Sequence, residues 1–184
     1  MRATDILTEE HRAIERVTTS LEIAANRLSR GEEVYLRFFL GTAYFIKAFT
    51  DGYHHKKEET ILFPLLTGNG FPIDTDPISV MIAEHEHSRD LSQRLRQATE
   101  RFQGGDESAR NQVVQTAMGY VRLLRQHIYK EDHVLYPMAD QVLPDDKQQQ
   151  MMEAFKLYEI DETGENVHEK YSSLAERLIV ESMR

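Results

Sequence analysis

Residues 54–64 read HHKKEETILFP, and residues 127–137 read HIYKEDHVLYP. At an offset of 73 residues the two stretches align, so that histidine, lysine, glutamate, leucine and proline recur at matching places. In each stretch a glutamate follows the first histidine by four residues, and residues four apart lie on one face of an α-helix, one turn apart. The chain is therefore predicted to carry the same helical His-x-x-x-Glu pair twice. The two pairs are His54 with Glu58, and His127 with Glu131.

The repeat extends to a second set of helices. The tripeptide EEH at residues 9–11 aligns with AEH at residues 83–85 at an offset of 74. Each half of the chain is thus predicted to be a helical hairpin with one histidine on its first helix and His-x-x-x-Glu on its second. The histidines on the first helices are His11 and His85.

Turn-forming residues divide the chain into long segments. They stand at Gly31, 67–77, 104–106 and 143–146, with a weaker break at 161–166. The segments between them have roughly 25 to 35 residues, which is far longer than a strand. In each segment apolar residues recur at steps of three and four, which is the pattern of an amphipathic helix.

These segments predict an all-α protein. Four long amphipathic helices joined by short loops favour an antiparallel four-helix bundle, which we assign to residues 1–145. Residues 146–184 are predicted to form a C-terminal helical extension that packs on the bundle and is interrupted near Gly164.

Composition excludes several classes of protein. A net charge of -9 over 184 residues argues against binding to nucleic acid or to an anionic membrane, because such surfaces depend on clustered lysine and arginine. The absence of cysteine excludes disulfides, thiolate metal sites and iron–sulfur ligation. The N-terminal sequence has no apolar leader, and no stretch approaches the roughly 18 apolar residues of a membrane-spanning helix. We therefore expect a single-domain cytoplasmic protein, and the sequence defines no protein partner.

Six polar side chains occupy positions that the helices would ordinarily fill with leucine or isoleucine. Buried imidazoles and carboxylates without partners are costly, so these six either satisfy one another or hold cations. Each half supplies two nitrogens and one carboxylate, about half of what a six-coordinate metal needs, so two facing halves predict a metal pair. The predicted ligands are His11, His54, Glu58, His85, His127 and Glu131.

The predicted donor set limits the choice of metal. Both glutamates would bridge the two metals, and an oxo or hydroxo bridge from solvent would leave one position for a small exogenous ligand. Nitrogen and carboxylate donors without sulfur suit iron, manganese or zinc and disfavour Cu(I). Carboxylate-bridged pairs in helical bundles typically hold iron or manganese.

The six residues, together with the LFP and LYP sequences that end the repeated stretches, resemble the hemerythrin-like, HHE cation-binding family over about residues 5–141. The resemblance implies a non-haem di-iron centre that binds O2 or related ligands such as nitric oxide or peroxide. Relatives carry oxygen, sense oxygen or iron, act on peroxide, respond to nitric oxide or repair iron–sulfur centres. We expect oxygen binding or sensing, or a response to oxidative stress. A peroxidase-, catalase- or oxidase-type enzyme and iron storage or donation are the alternatives, and no catalytic residue is assigned.

One ligand of the oxygen-carrying relatives is missing here. Those proteins have five histidine ligands, two of them one turn apart on the third helix, whereas Arg89 stands one turn after His85. This argues against reversible oxygen carriage. His55 is a candidate for an additional ligand, although it lies about 100° round an α-helix from His54 and so at the edge of the site. His168, on the C-terminal extension, is another candidate.

Other polar residues near the six are predicted to lie outside the centre. The residues expected to hydrogen-bond the imidazoles from outside are Glu59 and Asp132. The residues expected on solvated faces are Lys56, Lys57, His87 and His133. The additional oxygen donors close in sequence to the ligands are Tyr53 and Tyr129.

Overall fold

The described part of the chain is built from helices. The computed structural model describes residues 2–163 and 167–183, apart from the side chains of residues 161–163 and 168. Within these ranges every element of regular secondary structure is a helix. The prediction of an all-α helical bundle is confirmed.

The first hairpin pairs a regular α-helix with a composite one. The first helix, α1, spans Ala3–Ser29. The second runs without interruption through α2 (Leu36–Phe45), π1 (Ile46–His55), π2 (Glu58–Leu62) and α3 (Phe63–Gly68). In a π segment each hydrogen bond spans five residues instead of four, so side chains are spaced differently round the helix from those of an α-helix.

The second hairpin repeats this plan with one difference. Its helices are α4 (Ile78–Gln103) and, after a short 3₁₀ turn (Glu107–Ala109), the run of α5 (Arg110–Lys130), π3 (Glu131–Leu135) and α6 (Tyr136–Val142). π3 lies 73 residues after π2, at the same place in the repeat. π1 has no counterpart, because the matching residues 119–128 belong to α5.

Two further helices follow the bundle, α7 (Asp145–Thr163) and α8 (Val167–Ser182). Tyr171 and Leu178 of α8 join the apolar core of the bundle. A close approach of α8 to α2 is possible because Gly41 has no side chain; a Cβ atom there would lie 2.9 Å from the Cδ2 of Leu178. The predicted break near Gly164 falls outside the described residues. Among the helices of the described ranges, none is both long and apolar enough to cross a membrane.

The core consists of two apolar clusters with a polar layer between them. On α1, Leu7 belongs to the smaller cluster and Ile14 to the larger one, and the buried His11 lies between them. The same order on α4 is Met81, His85 and Leu91. The polar layer is therefore closed above and below by hydrocarbon side chains.

Candidate metal centre

Four imidazoles face one another in the polar layer. The four histidines are at most 2% exposed. The Nε2 atoms of His11 and His54 lie 3.0 Å apart, and those of His85 and His127 lie 3.2 Å apart. The structure thus brings together the four histidines that the repeat singles out, as two pairs, one from each hairpin.

Two fully buried carboxylates lie between these pairs. Glu131 places Oε2 3.1 Å from Nε2 of His11 and Oε1 3.1 Å from Nε2 of His127, so it spans from one pair to the other. Glu58 places Oε2 3.4 Å from Nε2 of His85 and 3.8 Å from Nε2 of His54. Neither oxygen of Glu131 has a hydrogen-bond partner of suitable geometry, and Oε2 of Glu58 also lacks one.

A second set of carboxylates holds the imidazoles from outside. The distances from Nδ1 to the carboxylate are 2.7 Å for His11 with Asp132, 2.9 Å for His54 with Glu10, 2.8 Å for His85 with Glu59 and 3.0 Å for His127 with Glu84. An ionised carboxylate only accepts hydrogen bonds, so each Nδ1–H donates to its outer carboxylate. When an imidazole is deprotonated, as metal binding requires, its Nε2 lone pair faces the centre. The prediction that Glu59 and Asp132 bond the imidazoles is confirmed.

Sequence reasoning missed the other two outer carboxylates. Glu10 and Glu84 each come directly before the first histidine of their half, in EEH and AEH. They occupy the same place in the repeat, and this recurrence was the available signal.

Each outer carboxylate is in turn paired with a cation. The pairs are Asp132 with Arg12, Glu10 with Lys57, Glu59 with Arg89 and Glu84 with Lys130. Arg89, in the position where the oxygen carriers have a histidine, also donates to Asp51 at 2.6 Å. It therefore contributes to the centre indirectly, through the carboxylate that orients His85.

The prediction that Lys57 lies on a solvated face is wrong. Its side chain is buried, and its ammonium group lies 4.2 Å from the ring centre of Tyr53 and 5.1 Å from that of Phe155 on α7. The hydrogen bond to Glu10 compensates the buried charge. Lys56, the neighbouring lysine, is exposed as expected.

Burial and carboxylates together set the protonation of the histidines in the absence of metal. Burial disfavours the imidazolium form of His11, but its hydrogen bond to Asp132 and the nearby Glu131 carboxylate outweigh burial and raise its pKa to about 10. Burial is also outweighed at His85 and His127, where carboxylates including Glu131 raise the pKa above the usual value. Protons and metal ions therefore compete for the same lone pairs.

His55 lies inside the layer, although the sequence placed it at the edge. It is 1% exposed, its ring stacks on that of His85 with 3.9 Å between centroids, and neither of its nitrogens has a hydrogen bond. Burial, followed by the neighbouring His85 and His127, lowers the pKa of His55 well below its usual value, so the imidazole stays neutral.

The π1 segment explains why His55 faces inward. The expected angle of about 100° between neighbouring residues holds for an α-helix, but π1 ends at His55, and there the side chains of His54 and His55 both point into the polar layer. Single π turns inside α-helices often occur at functional sites. No periodicity argument based on the α-helix alone would have found this position.

A tyrosine that the sequence reasoning did not select reaches the centre. The hydroxyl of Tyr136 donates to Oε1 of Glu58 at 2.6 Å and lies 3.3 Å from Nε2 of His11. Burial and the charges of Glu131 and Glu58 raise the pKa of Tyr136 well above its usual value, so the hydroxyl keeps its proton. The signal was the repeat itself, in which Tyr136 aligns with Phe63.

The remaining predicted residues lie away from the centre. Tyr129 is 62% exposed, and the buried Tyr53 packs against Phe49 and Lys57. His87 and His133 are exposed, as predicted. The side chain of His168 is outside the described residues, so its assignment as a ligand stays a prediction.

The inward-facing atoms fit metal ions better than they fit one another. Both oxygens of Glu131, Oε2 of Glu58 and both nitrogens of His55 are buried without a hydrogen-bond partner, and buried polar atoms of this kind call for an explanation such as an ion. Once the imidazoles are deprotonated, their Nε2 atoms add further lone pairs to this set. The candidate ligand atoms form two groups, each with all its atoms within 4.8 Å of one another. The first group is His11, His54 and Glu131; the second is His55, Glu58, His85 and His127.

Comparison with known proteins agrees with this chemistry. Residues 2–139 match the family described as "Hemerythrin HHE cation binding domain". Two relatives, "Uncharacterized protein Rv1995" of Mycobacterium tuberculosis and "Uncharacterized protein Mb2018" of Mycobacterium bovis, are each 28% identical over 163 residues. The alignments cover 89% of this chain and 63% of each relative, so the chain spans less than two thirds of the relatives' length.

Replacing Glu10 by glutamine is expected to destabilise the protein. The variant Glu10→Gln removes the carboxylate that pairs with the buried ammonium of Lys57, and a buried charge that loses its partner costs about 3–5 kcal/mol. The control Glu9→Gln, at the exposed neighbouring glutamate, should change the free energy of unfolding by less than about 0.5 kcal/mol. Urea unfolding measures both values, and equal losses would contradict the role of Glu10.

Metal removal is expected to change how stability depends on pH. Without metal, the raised pKa of His11 adds stability that is fully present below its ordinary pKa of 6.5 and is lost as pH rises through about 10. Metal binding requires the deprotonated imidazole and strengthens over the same range. Urea unfolding at several pH values should therefore show that the free energy of unfolding of metal-loaded protein exceeds that of chelator-treated protein by an amount that grows with pH. A constant difference between the two would contradict this.

Proposed function

Because the chain belongs to the hemerythrin HHE cation-binding domain family, we propose that it binds a pair of iron ions and, at them, O2 or a related ligand such as nitric oxide or peroxide. Its task would be oxygen binding or sensing, or a response to oxidative stress. The observation that carries the proposal is the position of Glu131, whose two oxygens each lie 3.1 Å from an imidazole nitrogen of a different hairpin. A carboxylate in that position suits a bridge between two metal ions.

The two groups of donors suggest how the metal pair would be shared. His11 and His54 would hold one ion, and His85 and His127 the other. Glu131 and Glu58 would be common to both, because each lies near an imidazole nitrogen of either hairpin. We also assign His55 to the second ion, because its neutral imidazole is buried, makes no hydrogen bond and lies within the same group of ligand atoms. Manganese and zinc accept the same donors; iron is preferred here because it can exchange electrons with O2.

The chain's own residues would control access and orientation. A bound iron pair would supply electrons to O2 or to a related ligand. The apolar clusters on both sides of the layer would exclude bulk water from that ligand. The outer carboxylates would fix each imidazole with its lone pair inward, so that little reorganisation is needed when metal enters.

A second candidate function is enzymatic turnover of peroxide or O2. It is favoured by Tyr136, because an O–H group at the centre can stabilise negative charge that develops on a reacting oxygen. Iron storage or donation requires metal to leave readily. The closed polar layer does not favour rapid release, since all six predicted ligands are at most 2% exposed.

Metal content should respond selectively to histidine replacement. After anaerobic iron loading and gel filtration, elemental analysis is expected to give two iron ions per wild-type chain and about one or fewer in His54→Ala and His127→Ala. The His55→Ala variant should also retain less iron. The matched control, His87→Ala, removes an exposed histidine two residues after His85 on α4 and should retain the full iron content. Equal iron in all variants would refute the ligand assignment.

An optical titration with O2 tests what the loaded protein does. The reduced, iron-loaded protein should develop a charge-transfer band when O2 is added under controlled conditions. A band that fades again under argon supports binding or sensing. A lasting ferric spectrum accompanied by sustained consumption of peroxide supports turnover instead, and the absence of any spectral change would contradict O2 chemistry at an iron pair.

A further inference from the structure

The two halves of the centre differ at two positions that touch the ligands. His55 of the first half aligns with Ile128 of the second, and Phe63 of the first aligns with Tyr136 of the second, both at the offset of 73. Phe63 packs on His85 with 5.9 Å between ring centroids, and Tyr136 packs on His11 at 5.4 Å. The duplicated half-sites are therefore chemically unequal.

The first difference concerns the number of nitrogens. One group of candidate ligands contains three imidazoles, and the other contains only two. The ion held by His55, His85 and His127 would thus have more of its coordination positions filled by the protein. A small ligand from solution is therefore expected to bind at the ion held by His11 and His54.

The second difference places a hydroxyl at the group with fewer nitrogens. The hydroxyl oxygen of Tyr136 lies 3.3 Å from Nε2 of His11, whereas Phe63 offers no polar atom at the corresponding place beside His85. The hydroxyl donates to Oε1 of Glu58, and the other inward-facing atoms of the layer are lone-pair donors. An anion that entered beside His11 would present another acceptor within reach of this O–H.

We propose that the Tyr136 hydroxyl donates a hydrogen bond to the small anionic ligand that completes the His11–His54 half of the metal pair, and so favours anions of a few atoms over neutral ligands. This assignment rests on the proposed metal pair. Because the hydroxyl has a single proton, Tyr136 would turn its O–H from Oε1 of Glu58 to the anion when the anion binds. Phe63, at the equivalent position beside His85, provides no hydrogen-bond donor to the His85–His127 half of the metal pair.

Azide binding to the oxidised, iron-loaded protein tests the assignment. Azide is a small anion, and its binding can be followed through its charge-transfer band on ferric iron. Loss of one hydrogen bond to a charged group costs at least about 1.5 kcal/mol, which corresponds to about a tenfold change in affinity or more. We expect Tyr136→Phe to bind azide about tenfold more weakly than wild type while retaining the same iron content. We also expect the azide vibration in wild type to shift in D2O, and this shift to disappear in Tyr136→Phe.

Tyr120→Phe is the matched control. Tyr120 is also a fully buried tyrosine, its hydroxyl faces Ser88 and Thr50 and not the candidate ligands, and it precedes His127 on α5 by seven residues, or about 10 Å. This variant should leave both the azide affinity and the D2O shift unchanged. An equal loss in Tyr120→Phe and Tyr136→Phe would overturn the assignment, since it would point to general loosening of the core.

Four further outcomes would overturn it in distinguishable ways. Unchanged azide affinity in Tyr136→Phe, at equal iron content, would refute the donor role alone. Reduced iron retention with unchanged azide affinity per loaded chain would make Tyr136 a positioning residue for Glu58. A phenolate-to-iron band in azide-free wild type that is absent from Tyr136→Phe would make Tyr136 a ligand. Failure of the wild-type chain to take up metal would refute the proposed function itself, and the assignment with it.

Discussion

The structure depends on a layer of lone pairs enclosed in hydrocarbon. The carboxylates that bond each Nδ1 turn the Nε2 atoms inward, where they meet the oxygens of Glu58 and Glu131. Groups of this kind repel one another unless protons or cations lie among them, and the raised pKa of His11 shows how strongly the layer attracts positive charge. Burial in the two apolar clusters stabilises the bundle, and this stabilisation offsets the cost of burying the polar layer.

Duplication supplies this arrangement economically. A hairpin with Glu-His on one helix and His-x-x-x-Glu on the next provides one pair of imidazoles, one inner carboxylate and two outer carboxylates. One outer carboxylate orients an imidazole of the same hairpin, and the other orients an imidazole of the facing hairpin. Two such hairpins packed face to face close the layer, because the Glu131 carboxylate reaches a nitrogen of each hairpin. The π2 and π3 segments, which begin at the two inner glutamates, belong to this repeated plan.

The sequence sufficed to predict what depends on α-helical periodicity. The four helices, the six inward side chains and two of the outer carboxylates follow from steps of three and four. The placement of His55 at the edge of the site was wrong because it assumed an α-helical angle at a residue that ends a π segment, whereas its assignment as a ligand stays a prediction. The prediction for Lys57 went wrong because Phe155, almost a hundred residues later, covers it. Burial by a distant helix leaves no mark on the local pattern.

The departures from symmetry extend to the outer ion pairs. Lys57 and Glu10 are buried beneath α7, whereas the equivalent Lys130 has a side chain that is 36% exposed. Solvent screens the outer pair behind His127 more than the pair behind His54, so charge behind His54 is felt more strongly at the centre. The group of His11 and His54 therefore combines fewer nitrogens, a hydroxyl donor and a buried ion pair. The group of His85 and His127 combines an extra imidazole with a more exposed ion pair. In the proposed metal pair these three differences would act together: a small ligand could exchange at the ion held by His11 and His54 while the ion held by His85 and His127 is retained.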